Sequence, residues 1–215
     1  MQQLFENNLD AKNLSILQSL TSPAKIQAYL DSIPYVGEDL NRTPLSVMQD
    51  RQCHCLDGGI LAALALNRIG FPARILDLVP EPGLDDDHVL AIFQVNGKYG
   101  AVAKSNFVGL RYREPLYRGL RELAMSYFEV FWNLERIKTL RGYTRPLNLK
   151  VYDKYNWQIS QTGTDRIVAR LYSMKMIPVI NQAEIANLEL TDERSFQAGM
   201  LGTDLNGVFK PGQTH

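Results

Sequence analysis

A cysteine and a histidine in this sequence have the types and the positions that thiol chemistry requires. Cys55 opens a run of small and apolar residues, Cys55–Arg68, which predicts a helix that ends before Gly70. His88 opens a later apolar run, which is typical of a strand. A cysteine at the first turn of a helix and a histidine on a following strand are the two parts that a thiol acyl-transfer site needs.

The expected role of Cys55 is that of a nucleophile, because cysteine attacks acyl carbon as the thiolate. A helix N-terminus lowers the thiol pKa from about 8.5 and offers backbone N–H groups to an oxyanion. Gln49 and Gln52, upstream of Cys55, are candidate side-chain donors to the same oxyanion. The carboxylates of residues 85–87 would raise the pKa of His88 and favour a thiolate–imidazolium pair. The competing interpretation is that Cys55 is a small buried hydrophobe, as most free cysteines are.

The spacing of these residues resembles that of the transglutaminase-like superfamily of cysteine enzymes. The resemblance covers residues 51–106. It consists of Cys-x-Asp at Cys55, Gly-Phe-Pro-Ala-Arg ending at Arg74, and Asp-His-Val around His88. It implies a papain-like α+β core in which a central helix bearing the cysteine packs on an antiparallel sheet. It also implies that Cys55 is the nucleophile and His88 the base.

The family pattern continues with an aspartate that orients the histidine, and here this sequence departs from it. Alignment of Tyr99 with the family's tryptophan puts Ala103 at the aspartate position. Asn106 could orient the ring instead, although on a regular strand it lies on the opposite face from Ala103 and needs a bulge. Ser105 has the right face but would hold the imidazole of His88 more weakly.

Two functions therefore stay open. The first is thiol-dependent acyl transfer on a peptide or amide, by a cysteine protease, an amidase or a transglutaminase-like enzyme. Its catalytic residues would be Cys55, His88 and Asn106. The second is a catalytically inactive binding protein on the same scaffold, for which Ala103 is the main argument.

The elements around this core predict an α+β protein with extra helices. Strands are predicted over 74–78, 88–95, 99–103 and 147–152, with an Asn-Gly hairpin turn at 96–97. Further helices are predicted within 13–31, where Ser22-Pro23 is a start signal, and over 46–50, 118–136 and 165–174.

Two C-terminal segments carry expectations of their own. The aromatic stripe of 118–136 is interpreted as core, with a surface for a partner protein as the weaker alternative. The glycine-rich tail after Phe196 is expected to be poorly ordered. We expect one compact domain in three segments: an N-terminal helical segment (1–50), the transglutaminase-like core (51–112) and a helical and mixed extension (113–215).

Composition and charge restrict the class of partner and the compartment that we expect. The chain has 215 residues and a formal net charge of zero, which argues against nucleic acid as a partner. It shows neither a signal peptide nor an apolar run of membrane-spanning length. Cys53 and Cys55 are too close in sequence for an unstrained disulfide, so we expect free thiols in a reducing, cytoplasmic compartment.

No cofactor or metal is expected. The acidic run at 85–87 is interpreted as a solvated turn rather than a metal cluster. Cys53, His54 and Cys55 cannot easily converge on one tetrahedral zinc ion, because they are consecutive. Four arginines could bind an anionic substrate group, although ordinary surface charges are the preferred interpretation: Arg111, Arg113, Arg118 and Arg121.

Overall fold

The computed structural model describes residues 2–38 and 40–210. Its α-helices are α1 (Gln2–Glu6), α2 (Ala11–Ser19), α3 (Pro23–Asp31), α4 (Pro44–Asp50), α5 (Cys55–Arg68), α6 (Leu120–Met125), α7 (Gln161–Tyr172), α8 (Gln182–Ile185) and α9 (Glu193–Gly199). Its strands are β1 (Arg74–Pro80), β2 (His88–Val95), β3 (Lys98–Val102), β4 (Arg113–Tyr117), β5 (Leu140–Tyr143), β6 (Leu147–Asn148) and β7 (Ile177–Pro178).

The strands form one antiparallel sheet in the order β4-β3-β2-β1-β5-β7, and β6 also pairs with β1. The predicted hairpin is confirmed. Asn96 and Gly97 both have positive φ, 51° and 76°, as the tight turn between β2 and β3 requires. The predicted α+β class is therefore confirmed.

Helix α5 has the predicted bounds and packs on one face of the sheet. Its small residues let the two backbones approach closely. A Cβ added at Gly59 would lie 2.8 Å from Cγ1 of Val89 on β2. The α5 side of the sheet contributes these residues to the shared apolar core: Ile75, Val89, Ala91, Phe93 and Val102.

The opposite face of the sheet buries a second apolar cluster. Because side chains alternate along a strand, this face carries Leu76, Leu78, Leu90, Ile92, Ala101 and Ala103. The segment around α6 covers it, with Tyr127 and Phe131 almost completely buried. The sheet therefore separates two cores, one under α5 and one under α6.

The N-terminal helices pack against the α5 side. The predicted start signal at Ser22 is confirmed, since its hydroxyl accepts the N–H of Lys25 at 3.3 Å and Pro23 is the first residue of α3. Leu17 of α2, Leu30 of α3 and Leu171 of α7 all belong to the same buried cluster as α5.

The long helix predicted over 118–136 is wrong. Only α6 is α-helical there, and a 3₁₀ turn at Phe128–Val130 follows it. The segment does not continue as one helix, because its aromatic side chains pack into the core from several directions. Tyr127, Phe131 and Trp132 are at most 4% exposed. Their burial also rules out the aromatic partner surface.

Two further expectations are corrected. The strand predicted over 147–152 is only the two-residue β6, because a 3₁₀ helix begins at Leu149. The tail after Phe196 is ordered as far as 210: α9 continues to Gly199, and a 3₁₀ turn spans Leu205–Gly207. Residues 211–215 lie outside the described part.

Within the described residues, none of the helices has the length and apolar character needed to span a membrane.

Candidate functional site

A cleft of about 140 Å³ opens at the N-terminal end of α5. Cys55, the first residue of the helix, lies at this cleft. Its walls are formed by the loop before α4, the loop before β2, α7 and residues 206–209. The lining side chains include Tyr35, Gly37, His54, Asp86, Asp87, Tyr172, Gly207 and Phe209.

The thiol of Cys55 lies against the backbone at the start of β2. It donates to the carbonyl oxygen of Asp87 at 3.7 Å, and the backbone N–H of Val89 bonds to the sulfur. Burial raises the pKa of Cys55 well above its ordinary value, and the negative charges of Asp87 and Asp86 raise it further. The expectation of a lowered thiol pKa is therefore wrong, and the thiol is neutral at pH 7.

The imidazole of His88 has other partners. Its Nε2 lies 2.6 Å from the carbonyl oxygen of Leu110. Its ring centroid lies 6.5 Å from each of the rings of Tyr127 and Phe131. Burial lowers the pKa of His88 to about 4, and the charge of Arg113 also lowers it. The carboxylates of residues 85–87 were expected to raise this pKa, and that expectation is wrong because burial dominates.

Cys55 and His88 face different sides of the sheet. Val89 packs under α5, so the alternation of β2 directs His88 to the other face, toward Tyr127 and Phe131. A second cavity of about 40 Å³ lies beside His88. It shares five lining residues with the Cys55 cleft: Tyr35, Asp86, Asp87, Gly207 and Phe209. The two side chains are thus in adjacent cavities with separate hydrogen-bond partners.

The candidate third members do not bond to His88 either. The side chain of Asn106 is bonded to the backbone of Asp204 at 2.8 and 2.9 Å. The hydroxyl of Ser105 accepts the N–H of Phe107. Ala103 is fully buried. Among the described residues, Cys55, His88 and Asn106 are therefore not brought together, and their joint catalytic role stays a prediction.

A pair of carboxyl groups that the sequence analysis missed lies beside the thiol. Asp77 on β1 is opposite Val89 on β2, and its carboxyl group is hydrogen-bonded to that of Asp87. Burial raises the pKa of Asp77 to about 6, with the charge of Asp86 adding to it. Burial likewise raises the pKa of Asp87 well above its ordinary value. Two buried carboxyl groups in contact share a proton, because both cannot easily be charged.

This pair corrects the expectation of a solvated turn at 85–87. Part of Asp87 is exposed, but its Oδ2 is shielded from solvent. Asp85 accepts a hydrogen bond from the hydroxyl of Thr139 at 2.6 Å, and burial raises its pKa to about 6. The available signal was Asp77, a charged residue inside the apolar run of β1.

His54 also lies at the cleft. Its Nε2 is 3.3 Å from Oδ2 of Asp57, and burial lowers its pKa to about 4. Asp57 also accepts the backbone N–H of Arg42 at 2.7 Å. This network ties the loop before α4 to the start of α5 and so forms one wall of the cleft.

The remaining candidates do not line the cleft over Cys55. Gln49 is exposed on α4, and Gln52 is partly exposed between α4 and α5. Arg113 donates to the carbonyl oxygens of Tyr112, Gly109 and Ser126, and its guanidinium lies 3.9 Å from the ring centroid of Tyr127.

Two of the arginines considered as anion-binding groups also have partners within the chain. Arg111 is paired with Asp31 at 3.2 Å, and Arg121 donates to the carbonyl oxygen of Val179. In residues 2–38 and 40–210, no group of three or more His, Cys, Asp or Glu side chains is arranged to hold a metal ion.

Comparisons with known proteins give little further information. No protein family matches the sequence, and no curated protein is similar to it. Among solved structures, Legionella pneumophila LapG is similar at 14% identity and a TM-score of 0.37, over 48% of this chain and 70% of that chain. Calcium-bound LapG gives the same values, and EGTA-treated LapG gives a TM-score of 0.36 at 14% identity, over 48% of this chain and 67% of that chain. At these TM-scores the likeness does not establish a shared fold or function.

Proposed function

We propose that the protein is a binding protein on a papain-like scaffold, which receives a peptide or amide-bearing partner in the cleft over Cys55. The observation that carries this proposal is the position of His88. Its imidazole lies on the face of the sheet away from α5 and is bonded to the carbonyl oxygen of Leu110. Without the imidazole of His88 at the thiol, the cleft binds its partner and leaves it unchanged.

Electrostatics supports the same function. A catalytic pair needs a thiolate and an imidazolium. Here burial raises the pKa of Cys55 and lowers that of His88 to about 4, so both groups are neutral at pH 7. Asp86 and Asp87, the acidic residues beside the sulfur, oppose thiolate formation further.

The cleft itself supports a polypeptide as the partner. Residues 206–209 of this chain already form part of its lining. Polypeptide backbone therefore packs against this site, as a 3₁₀ turn at Leu205–Gly207 followed by extended backbone at Val208.

Alkylation of the thiol tests this proposal. In a Cys53→Ala background, the rate of reaction with iodoacetamide is measured across about pH 5 to 10. We expect one ionisation, above that of a free thiol, and the same profile in His88→Asn. A reactive plateau below about pH 7 that disappears in His88→Asn would contradict the proposal, because only a thiolate–imidazolium pair produces it. His54→Asn is the matched control for loss of an imidazole.

The second candidate function is thiol acyl transfer, which the position of Cys55 at the first turn of α5 favours. The thiolate would attack an amide carbon, and the imidazolium of His88 would protonate the departing amine. Water or a second amine would then resolve the thioester. His88 would first have to leave the carbonyl oxygen of Leu110. Cys55→Ala separates the two candidates, since it abolishes acyl transfer and leaves partner binding intact.

A further inference from the structure

Residues 203–209 of this chain, hereafter the C-terminal segment, show how the cleft holds a polypeptide. We propose that the cleft selects a peptide whose 3₁₀ turn ends on glycine at the position of Gly207 and is followed by an apolar residue, and that the C-terminal segment, which forms one wall of the cleft, acts as its internal ligand. This inference rests on the proposed function, because it names the class of partner that the cleft receives.

The first contact is a backbone clamp from Asn106, which lines the neighbouring cavity beside His88. The side-chain amide of Asn106 donates to the carbonyl oxygen of Asp204 at 2.8 Å, and its Oδ1 accepts the N–H of the same residue at 2.9 Å. The hydroxyl of Thr203 donates to the carbonyl oxygen of Asn106 at 3.3 Å. Because the amide of Asn106 contacts only backbone atoms of Asp204, it fixes the direction and register of a peptide without selecting a side chain there.

The second contact is a close approach of two backbones, which leaves room for glycine alone. A Cβ added at Gly37 would lie 2.8 Å from Cα of Gly207, so the two backbones touch. A Cβ added at Gly207 would lie 2.9 Å from Cδ1 of Tyr35 and 3.3 Å from Nδ2 of Asn106. Any residue larger than glycine at 207 must therefore displace the ring of Tyr35 or the clamp.

The third contact is made by the apolar residues that follow the glycine. Asn206 is exposed, whereas Val208 is only 8% exposed and Phe209 is half-buried. All three line the cleft. The clamp, the glycine and the apolar residue thus occur in a fixed order, with the glycine three positions after the clamped residue.

The competition between internal and external peptide gives a direct test in the full chain. The probe is a fluorescent peptide with the sequence of residues 204–210, and its binding is followed by anisotropy. We expect weak binding to the wild-type chain, because the internal ligand has an effective concentration of about millimolar. Gly207→Val expels the internal ligand, so the same peptide should bind that chain at least about tenfold more tightly.

Two comparisons address selection. The peptide with alanine in place of its glycine should bind the Gly207→Val chain at least about tenfold more weakly than the glycine peptide, because its Cβ meets Tyr35. The glycine peptide should also lose binding to a chain carrying both Gly207→Val and Gly37→Ala. Gly119→Ala, at a position with nothing within 4 Å of the added Cβ, is the control for an alanine substitution.

The outcomes separate this inference from the proposed function. Equal binding of the glycine and alanine peptides would overturn glycine selection and leave a peptide-binding cleft. Absence of binding to Gly207→Val, in a chain whose circular dichroism matches wild type, would overturn this inference, whereas the proposed function is overturned by the pH profile of Cys55 alkylation described above. Iodoacetamide labelling of Cys55 provides an independent measurement, since expulsion of the C-terminal segment should speed it at least about tenfold. An unchanged rate would show that the C-terminal segment does not cover the cleft.

Discussion

The Asp77–Asp87 pair makes the stability of this protein depend on pH in a defined direction. The pKa of Asp77 is about 6 in the folded chain and 3.8 in the unfolded chain. The native state therefore binds more protons than the unfolded chain between these values. The stabilisation is fully present below about pH 4 and is lost as the pH rises through about 6. At about 1.4 kcal/mol per pKa unit, the loss from Asp77 is about 3 kcal/mol.

Replacement of Asp77 by Asn should remove this dependence, because the amide donates to the Asp87 carboxylate and does not titrate. Urea unfolding of both chains at about pH 4.5 and pH 8 measures it. We expect the variant to gain about 2 kcal/mol relative to wild type between the two conditions, because part of the effect is already lost at about pH 4.5, above the pKa of the unfolded carboxyl group. This corresponds to about 4 to 8 °C in the melting temperature of a chain of this size.

Asp165→Asn is the matched control, since Asp165 is an exposed carboxylate on α7. It should leave the pH dependence of wild type unchanged. If the unfolding free energies of wild type and Asp77→Asn run parallel over the whole range, the two carboxyl groups do not share a proton and the reasoning about the pair is refuted.

Three further substitutions test the packing around the site by urea unfolding. Gly59→Ala should destabilise the chain by about 1–3 kcal/mol despite its better helix propensity, because the new Cβ meets Val89 at 2.8 Å. A neutral or stabilising result would contradict the close approach of α5 and β2. Tyr127→Phe should cost about 1 kcal/mol, because its hydroxyl donates to the carbonyl oxygen of Arg111 at 2.8 Å. No change would show that bond to be absent. Ala103→Asp should destabilise by at least about 2 kcal/mol, since it buries a carboxylate at a fully buried position. An unchanged free energy of unfolding would contradict the complete burial of this position.

Local sequence signals predicted the elements that carry the site. The small and apolar residues from Cys55 gave the bounds of α5, and Asn96-Gly97 gave the hairpin of β2 and β3. Both signals depend on neighbours in sequence, namely helical periodicity and the φ values of a two-residue turn. The division into segments 1–50, 51–112 and 113–215 stays a prediction.

The position of His88 could not be derived in the same way. A shift of one residue in the pairing of β2 moves every side chain to the other face, and apolar residues lie on both faces of this strand. The run His88–Val95 therefore does not specify which residues face α5. The prediction that the glycine-rich tail is poorly ordered failed for another reason. Its composition is typical of disorder, but Gly207 is required by a contact with Gly37, which is distant in sequence.

The protonation of His88 tests the central claim most directly. Its imidazole resonances can be assigned by comparison with His88→Asn and followed by NMR as the pH falls. We expect the ring to be neutral at about pH 6, with a pKa of about 4 that does not change in Cys55→Ala. A pKa above its ordinary value of 6.5 that falls when Cys55 is replaced would show a thiolate–imidazolium pair, and would contradict the placement of the two side chains on opposite faces of the sheet.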